Sequence, residues 1–256
     1  MLRSNIVQIV SLLGIPGIYL YICRRLKISP MRIKIPIFGY VKTFHEVRNI
    51  FDNFGGSGEL RDKSVERFIS KKAEPCVIDC GVNVGITVRW WFHLNRGAKV
   101  YGVDMMKEAQ EFTVKAIGSI GVSEDNYTPI VAALWSEDGK QFKVGIGDPL
   151  YGDHGLYRKG KEISERTFIT NRLDTIFDHK NIICVDLLKI DIEGAGGEAL
   201  KGAGNLLKKT GNIFLETHSI EESNLAGDIL KENDFILRRS SARHQWWARA
   251  SQREII

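Results

Sequence analysis

The sequence predicts an α/β fold: a doubly wound, mostly parallel sheet with an antiparallel hairpin at one edge, preceded by an N-terminal hydrophobic helix. Apolar runs of strand length alternate with helix-length segments from residue 77 to residue 232, as in a parallel sheet with crossover helices. Several runs end at a charged residue followed by glycine, which is typical of the ligand-binding edge of such a sheet. The last two runs, 235–240 and 245–250, are joined by a short turn, which indicates an antiparallel pair.

The individual elements follow from apolar periodicity and from the positions of glycine and proline. Helices are predicted at 41–54, 65–72, 86–94, 107–117, 173–177, 195–208 and 220–232. Earlier strands are predicted at 77–79, 99–104, 129–135, 141–144, 166–170, 185–191 and 212–218. The glycine-rich segment 55–58 ends the first helix, and strand 141–144 is expected to pair with 129–135. A polar loop covers 145–160, and its His154 is a candidate for substrate contact, although a loop histidine is more often only solvated.

Three regions follow from composition. Residues 1–36 form a hydrophobic and basic leader, residues 37–73 a helical lead-in, and residues 74–256 the α/β domain. In the leader, the eighteen residues 6–23 include only two polar side chains, a length that is marginal for crossing a bilayer. We expect membrane association through residues 5–23, and the pattern fits a spanning helix, an interfacial helix or an ordinary helix packed on the domain.

Charge is distributed unevenly. Residues 1–45 contain seven Lys or Arg and no acid, which leaves 29 basic and 31 acidic residues elsewhere, a net charge of −2. Because the basic residues follow the apolar run, they favour a membrane-associated protein whose domain is cytoplasmic. The domain itself is not basic, so no nucleic-acid partner is expected. The four cysteines fit neither a disulfide framework nor a paired zinc pattern, which indicates free thiols.

The sequence VIDCGVNVG at 77–85 is the first functional motif. An apolar strand ends at Asp79, and Gly81 and Gly85 allow a tight turn that brings bare backbone to a ligand at the sheet edge. The pattern is D-x-G-x-N-x-G, with Asn83 where the pyrophosphate-binding fingerprint has its second glycine. A donor without phosphate, such as S-adenosylmethionine, needs no full anion nest, and Asn83 suits its carboxylate. An ordinary glycine turn is the alternative.

A second acid supports a nucleoside ligand. Asp104 ends the next apolar run, 23 residues after Gly81, where an acid can accept both ribose hydroxyls of an adenosine. Met105 follows it directly and joins it as a candidate for cofactor contact. Ala132, after the third strand, is a candidate for the adenine edge.

Five ionisable residues mark the second half of the site. Lys189, Asp191 and Glu193 alternate along a strand end and share one face, which is costly unless they meet a ligand, a metal or each other. Glu216 and His218 share a face at the end of the next strand. We expect the five to converge beside the cofactor as catalytic residues, and a salt-bridge network is the alternative.

The chain resembles the FkbM family of methyltransferases over roughly residues 74–220. The resemblance rests on VIDCGVNVG at 77–85, VYGVD at 100–104, RLDTI at 172–176, and most of all on LKIDIEG at 188–194 with LKGA at 200–203 and FLETH at 214–218. The chain departs from the family pattern at Asp104-Met105, where the family usually has Glu-Pro, and at Glu198, which stands further from the EG pair.

The resemblance implies a Rossmann-like class I methyltransferase that uses S-adenosylmethionine, often on a hydroxyl of a sugar, natural-product or lipid-linked acceptor. An alcohol must lose its proton during transfer, so a base or a divalent ion is required. Either His218 or a carboxylate can be the base; we expect His218 in this role, with Asp191 and Glu193 positioning the acceptor or a metal. A metal held by Asp191, Glu193 and Glu216 is the alternative, and metal dependence is left open.

Two other functions are compatible with parts of the sequence. An NAD-dependent oxidoreductase would bind at the same sheet edge but would need the glycine set that this chain lacks. A membrane-tethered nucleoside-binding protein on a methyltransferase scaffold would keep the turn without turnover. The acidic and histidine side chains at the strand ends favour an enzyme over both.

Overall fold

The computed structural model describes residues 2–55, 60–150 and 164–252. Its helices are α1 (Leu2–Leu13), α2 (Ile15–Leu26), α3 (Phe44–Phe54), α4 (Lys63–Lys71), α5 (Ile86–Leu94), α6 (Lys107–Gly118), α7 (Leu173–Phe177), α8 (Gly196–Lys201), α9 (Gly204–Lys208) and α10 (Ile220–Glu232). Its strands are β1 (Ile33–Ile35), β2 (Gly39–Val41), β3 (Cys76–Cys80), β4 (Lys99–Asp104), β5 (Tyr127–Val131), β6 (Ala133–Leu134), β7 (Gln141–Ile146), β8 (Ser164–Asn171), β9 (Val185–Ile190), β10 (Thr210–Glu216), β11 (Phe235–Ser240) and β12 (His244–Arg249).

The main sheet confirms the predicted fold class. Seven strands lie in the order β11-β12-β10-β9-β3-β4-β5. Strands β10, β9, β3, β4 and β5 pair in parallel, and β12 joins β10 and β11 antiparallel. Successive side chains of one strand enter separate cores on the two faces: Val77 and Leu187 on one, Ile78 and Leu188 on the other. Both faces are therefore covered, as in a doubly wound sheet.

The strand register brings the predicted functional segments to one edge. Asp79 on β3 lies directly beside Lys189 on β9, and the next backbone contact is the Asp191 amide donating to the Cys80 carbonyl at 3.0 Å. Asp104 ends β4 on the other side of β3. Carboxyl ends of parallel strands meet at the same edge, so the register alone assembles the motifs.

The prediction of one strand at 129–135 paired with 141–144 is wrong. After β5, the Ala132 amide still donates to the Asp104 carbonyl at 3.0 Å, and the chain then leaves the main sheet. Strand β6 pairs in parallel with β8, and β7 pairs antiparallel with β8, which forms a separate three-stranded sheet. The partner of β7 is thus the later strand β8.

The predicted helix at 195–208 is divided into α8 and α9. At Gly202 a Cβ atom would lie 2.6 Å from the Trp135 carbonyl oxygen, so this backbone is packed too closely for a larger residue. Glu198 on α8 accepts a hydrogen bond from the Ser136 hydroxyl at 2.6 Å and pairs with Lys201. Its carboxylate therefore anchors α8 to the loop after β6.

The N-terminal regions differ most from expectation. The single hydrophobic helix is instead two helices, because Gly14 at φ +66° separates α1 from α2. Within the described residues, no helix combines the length and hydrophobicity that a membrane crossing requires. The hairpin β1–β2 spans the boundary between the predicted leader and lead-in, and its turn depends on positive φ angles at Ile37 and Gly39.

The leader is part of the first core. Ile9, Leu13, Leu20 and Cys23 are buried in the same cluster as Val77 of β3. All four cysteines are free. The candidate His154 and most of the glycine-rich segment 55–58 lie outside the described residues.

Candidate functional site

The glycine turn after β3 is pinned between its two neighbouring strands. The Gly81 amide donates to the Val103 carbonyl at 2.8 Å, and φ at Gly81 is +84°. A Cβ atom at Gly81 would lie 1.7 Å from the backbone oxygen of Asp191, so only glycine fits here. Gly85, at φ +67°, precedes the first residue of α5, and a Cβ atom there would lie 2.6 Å from the Thr113 hydroxyl.

Asp104 organises the opposite side of the turn. Its Oδ2 accepts from the Asn83 amide and its Oδ1 from the Met106 amide, both at 2.8 Å. Each carboxylate oxygen keeps a second lone pair, so the carboxylate can also accept ligand hydroxyls. The backbone amides therefore fix its orientation toward the cavity that it lines.

A largely apolar cavity lies in front of the turn and of Asp104. Asn83 occupies a positive φ of 51°, and its amide oxygen is buried without a protein partner among the described residues. The predicted cofactor residues that line the cavity are Gly81, Asn83, Asp104, Met105 and Ala132. Apolar side chains continue the lining at Val103, Ala109, Leu134, Phe142 and Val144. The cavity thus offers an acid for ribose and an apolar slot for a flat base.

Asp79 and Lys189 form a buried ion pair. Asp79 is fully buried beneath the turn, where its oxygens meet the Lys189 ammonium at 3.1 Å and the Trp91 indole N–H at 2.8 Å. Lys189 also donates to the Gly81 carbonyl at 2.7 Å. Burial lowers the pKa of Lys189, but Asp79 and Asp191 outweigh this effect, so the net shift is upward. The pair is a charged support for the turn: Asp79 does not reach the cavity, contrary to its predicted cofactor contact, whereas Lys189 is part of the cavity lining.

A second, polar cavity adjoins the first. The lining shared by the two cavities consists of Asn49, Asn53, Asn83, Asp191 and Glu193. The polar cavity is further lined by His45, Arg48, Asp52, Leu150, Glu216, Arg243 and His244. Asp191 and Glu193 therefore stand at the junction where a group would pass from one cavity to the other.

Glu193 occupies an unusual backbone conformation at this junction. Its φ is +48° and is followed by Gly194 at +93°. A left-handed backbone at a non-glycine residue costs about 1 kcal/mol or more, and such positions cluster at functional sites. The turn directs the Glu193 carboxylate toward both the cavities and His218.

His218 does not line either cavity. Both ring nitrogens are buried, with Nε2 3.3 Å from Glu193 and 3.7 Å from Glu216, and Nδ1 3.9 Å from Glu222. The Glu222 carboxylate also accepts from the His218 backbone amide at 2.7 Å. The imidazole therefore supports the junction carboxylates from behind, which differs from its predicted role as the base.

Glu216 is held by the β11–β12 turn. Its Oε1 lies 2.7 Å from Arg243, and its Oε2 lies 3.1 Å from Nε2 of His244. Burial, followed by repulsion from Asp191, raises the pKa of Glu216 to about 8, although Arg243 opposes the shift. Burial lowers the pKa of His244 to about 4, so this imidazole is neutral at pH 7.

The predicted metal set changes in one member. Asp191, Glu193 and His218 bring one ligand atom each to within 4.8 Å of one another, whereas Glu216 is directed to Arg243 and His244. Carboxylate oxygen and imidazole nitrogen are ligands that divalent transition metals accept. His218 thus takes the place of Glu216 in this set.

Sequence reasoning missed the wall that α3 contributes. Asn49 and Asn53 stand one turn apart on α3, and His45 precedes them by one more turn. Residues at i, i+4 and i+8 share a helix face, so three polar side chains on an otherwise amphipathic helix were the available signal. Arg243, in the β11–β12 turn, and His244, the first residue of β12, lie outside the region of family resemblance and carried no such signal.

Comparison with known proteins decides the family. The model of the methyltransferase FkbM domain matches residues 79–240, more than half of the 256 residues. The chain belongs to the FkbM methyltransferase family. It is therefore a methyltransferase of the S-adenosylmethionine-dependent class, and nothing in the match favours an NAD-dependent oxidoreductase or a binding protein without activity. No curated protein sequence matches the chain significantly.

Solved structures that resemble the FkbM chain are distant in sequence. An S-adenosylmethionine-dependent O-methyltransferase from Thermotoga maritima is 13% identical at TM-score 0.46, over 84% of this chain and 75% of that one. TrmK from M. capricolum, solved with S-adenosyl-homocysteine, is 11% identical at TM-score 0.40, over 72% and 65%. Fibrillarin from Aeropyrum pernix, solved with S-adenosyl-L-methionine, is 11% identical at TM-score 0.40, over 70% and 66%. Similarities this low do not indicate an acceptor.

We expect Asp104→Ala to weaken S-adenosylhomocysteine binding to the FkbM domain at least about tenfold, because a charge-assisted hydrogen bond contributes about 1.5–3 kcal/mol. Isothermal titration calorimetry measures the change directly. Glu111→Ala, an exposed acid on the neighbouring helix α6, is the control and should bind normally. Unchanged affinity in Asp104→Ala would remove this carboxylate from the cofactor site.

Glu216 should make the stability of the FkbM domain pH-dependent. Its folded pKa of about 8 exceeds its ordinary value of 4.5, so the folded state holds a proton that the unfolded chain has released. The stabilisation of the folded state by this proton is complete below pH 4.5 and is lost as the pH rises through 8. We expect the free energy of unfolding to fall between pH 6.5 and 8 and to fall less in Glu216→Gln. This window lies above the ordinary histidine pKa of 6.5, so that the titration of His244 contributes little to the slope. Urea unfolding in EDTA measures both slopes, and equal slopes would contradict the assignment.

Proposed function

We propose that this methyltransferase transfers a methyl group to a hydroxyl of a neutral, polyhydroxylated acceptor, such as a free or lipid-linked sugar or a glycosylated natural product. The observation that carries the proposal is the junction of the two cavities, where Asp191 and Glu193 line both the apolar and the polar side. A hydroxyl held in the polar cavity would meet the methyl donor at this point and would find a proton acceptor beside it.

Cofactor binding and proton transfer are assigned to different residues. When bound, S-adenosylmethionine supplies an electrophilic methyl group on its sulfonium sulfur. Asp104 and the backbone of the glycine turn hold the adenosine, and Asn83 lies toward the junction. A carboxylate of Asp191 or Glu193 takes the hydroxyl proton while the C–O bond forms and the C–S bond breaks, so the products are an ether and S-adenosylhomocysteine.

Lys189 sets the electrostatics of this step. Its ammonium lies 3.6 Å from Asp191 and 3.1 Å from Asp79, and both groups favour its protonated form. A fixed positive charge behind Asp191 stabilises the ionised carboxylate that must receive the proton. On the other side, Nε2 of His218 lies 3.3 Å from the Glu193 carboxylate and fixes its position.

The charges of the polar cavity support a neutral acceptor. Its lining holds three carboxylates, Asp52, Asp191 and Glu193, against two guanidinium groups, Arg48 and Arg243, and the raised pKa of Glu216 keeps this fourth acid mostly neutral at pH 7. Arg48 is ion-paired with Asp52 at 3.3 Å, and Arg243 lies 2.7 Å from Glu216. His244 adds no positive charge at pH 7 because its pKa is about 4. An anionic acceptor would meet net repulsion, whereas hydroxyls can bond to the carboxylate and amide groups.

Turnover with isotopically labelled donor tests the proposal. The panel holds neutral glycans, lipid-linked glycans, amines and carboxylic acids, and mass spectrometry with NMR locates the new methyl group. We expect label on a hydroxyl oxygen of a glycan-containing acceptor. Label on nitrogen, or on a carboxylate, would overturn the acceptor class without touching the family assignment.

A chelator arm separates the two roles of the junction residues. We expect turnover to persist in EDTA, because the Lys189 ammonium already supplies positive charge beside Asp191. Loss of turnover in EDTA with recovery on adding Mg²⁺ or Mn²⁺ would assign Asp191, Glu193 and His218 to a cation and contradict direct proton transfer.

A further inference from the structure

Helix α2 carries an exposed apolar stripe. Ile15, Ile18, Ile22 and Leu26 follow one another at intervals of three or four residues, and all four are exposed, Ile15 to 82%. This spacing places them on one face of the helix. Ile28 and Met31 extend the exposed apolar surface beyond the helix end.

The opposite face of α2 is fixed to the domain. Leu20 and Cys23 are buried in the first core, and Gly17 packs so closely on α1 that a Cβ atom would lie 2.9 Å from the Ile9 carbonyl oxygen. Arg24 donates to Asp52 at 2.9 Å and to the Arg48 carbonyl at 3.1 Å, both on α3. The stripe therefore has a defined direction relative to the sheet.

Basic side chains border the stripe. Arg25, Lys27, Arg32 and Lys34 are all exposed, and residues 1–45 contain no acid. The Tyr19 hydroxyl accepts from the Met31 amide at 3.0 Å, which holds the segment after α2 beside the helix. Apolar and cationic groups thus form one continuous surface.

We propose that this surface, α2 with residues 27–34, docks the protein flat onto an anionic lipid bilayer. Apolar side chains on one side of a helix enter the boundary between headgroups and acyl chains, while adjacent Lys and Arg bind anionic headgroups. The protein docks at the bilayer interface and α2 does not insert further, because the opposite face of α2, with Leu20 and Cys23, is part of the domain core.

The docking surface lies one helix away from the polar cavity. Arg24 of α2 contacts Arg48 and Asp52 of α3, which line the polar cavity, and α3 also presents Asn49 and Asn53 to both cavities. Docking would therefore hold the acceptor cavity near the bilayer, where a lipid-linked hydroxyl is found. The docking proposal stands without that consequence, because it rests on the leader alone.

Vesicle flotation of the full chain tests the docking. One vesicle type contains phosphatidylserine in phosphatidylcholine, and the other is pure phosphatidylcholine. We expect binding to the anionic vesicles, at least about tenfold weaker binding to the neutral ones, and loss of binding at high salt.

Two variants separate the apolar and the charged contributions. Ile15→Asp/Leu26→Asp should lower partitioning at least about tenfold, as should Arg25→Glu/Lys27→Glu. The matched control for the apolar variant is Ile183→Asp/Ile220→Asp, which alters isoleucines of similar exposure (91% at Ile183). The matched control for the charge variant is Lys208→Glu/Lys209→Glu, which alters two exposed lysines outside the leader. S-adenosylhomocysteine binding should be the same in all four, which shows that each is folded.

Several outcomes would overturn the docking proposal. They are absence of flotation, equal binding to neutral vesicles, or control variants that lose binding as strongly as the stripe variants. A dimer in analytical ultracentrifugation that Ile15→Asp/Leu26→Asp dissolves, without vesicle binding, would assign the surface to a second copy of the chain. None of these results depends on turnover, so failure here is distinct from failure of the proposed function.

Discussion

Replacing both junction carboxylates, Asp191→Asn/Glu193→Gln, will lower kcat about 10²–10⁴-fold, the range that general base catalysis contributes. Both amides keep the shape of the side chain but cannot accept a proton from the acceptor hydroxyl. Affinity for S-adenosylhomocysteine should change by less than about tenfold, since the adenosine site proposed above is formed by Asp104 and the glycine turn. Steady-state kinetics and calorimetry on the same preparation give both values.

The control for this experiment is Asp52→Asn. Asp52 lines the same polar cavity, but it lies on α3 beside Arg24 and Arg48 and not at the junction. We expect it to alter KM for the acceptor and to leave kcat within about tenfold. A junction variant that retained kcat, or one that lost cofactor affinity in parallel, would remove Asp191 and Glu193 from proton transfer.

Glu46→Gln will lower the free energy of unfolding by about 3–5 kcal/mol, because it leaves the Arg89 guanidinium buried without its counter-ion. Arg89 is 0% and Glu46 1% exposed, and their Nη2–Oε1 distance is 2.9 Å. Burial lowers the pKa of Arg89, and Glu46 opposes that shift, so the carboxylate is what keeps the buried charge tolerable. Urea unfolding measures the change.

The matched control is Glu66→Gln. Glu66 pairs with Arg61 at 2.9 Å in a partly exposed position, so the same removal of one carboxylate should cost no more than about 1 kcal/mol. Equal losses in the two variants would show that the buried pair has no special weight. Arg89 also donates to the carbonyls of Val84 and Gly85 at the end of the glycine turn, so Glu46→Gln should weaken S-adenosylhomocysteine binding as well.

The buried arginine joins the lead-in to the methyltransferase domain. Besides Glu46, it donates to the carbonyls of Phe38, in the turn of the β1–β2 hairpin, and of Tyr40, in β2. The same lead-in then supplies Asn49 and Asn53 to the cavities. The Arg89 guanidinium thus fixes the position of the glycine turn relative to the wall of the cavities that α3 contributes.

Much of the fold could be predicted from the sequence because the relevant signals are local. The apolar runs at β3, β4, β9 and β10 each end at the residue where the pattern changes, and a parallel sheet collects such ends at one edge. The Gly81 and Gly85 turn is equally local, since both positions require a backbone that other residues avoid. Asp104, Asp191 and Glu193, at such strand ends, line the cavity at that edge.

The sequence did not reveal which partner each charged group meets. Alternation along a strand assigns a side chain to one face of the sheet, but its neighbour on that face comes from another strand through the pairing register. The β3–β9 register sets Asp79 beside Lys189 and keeps Asp79 away from the cavity. Strand β12, antiparallel to β10, brings His244 and the preceding Arg243 to Glu216.

The sequence by itself determined the fold class, the family, the glycine turn and the edge of the sheet at which the predicted site residues gather. Only the tertiary structure decided that α3 forms the second wall, that His218 stands behind Glu193, and that the leader presents one face to the core and one to solvent. The physical reason is that propensity and periodicity act over a few residues, whereas the pairing of charges and the packing of helices depend on atoms that are distant along the chain and meet only in the folded state.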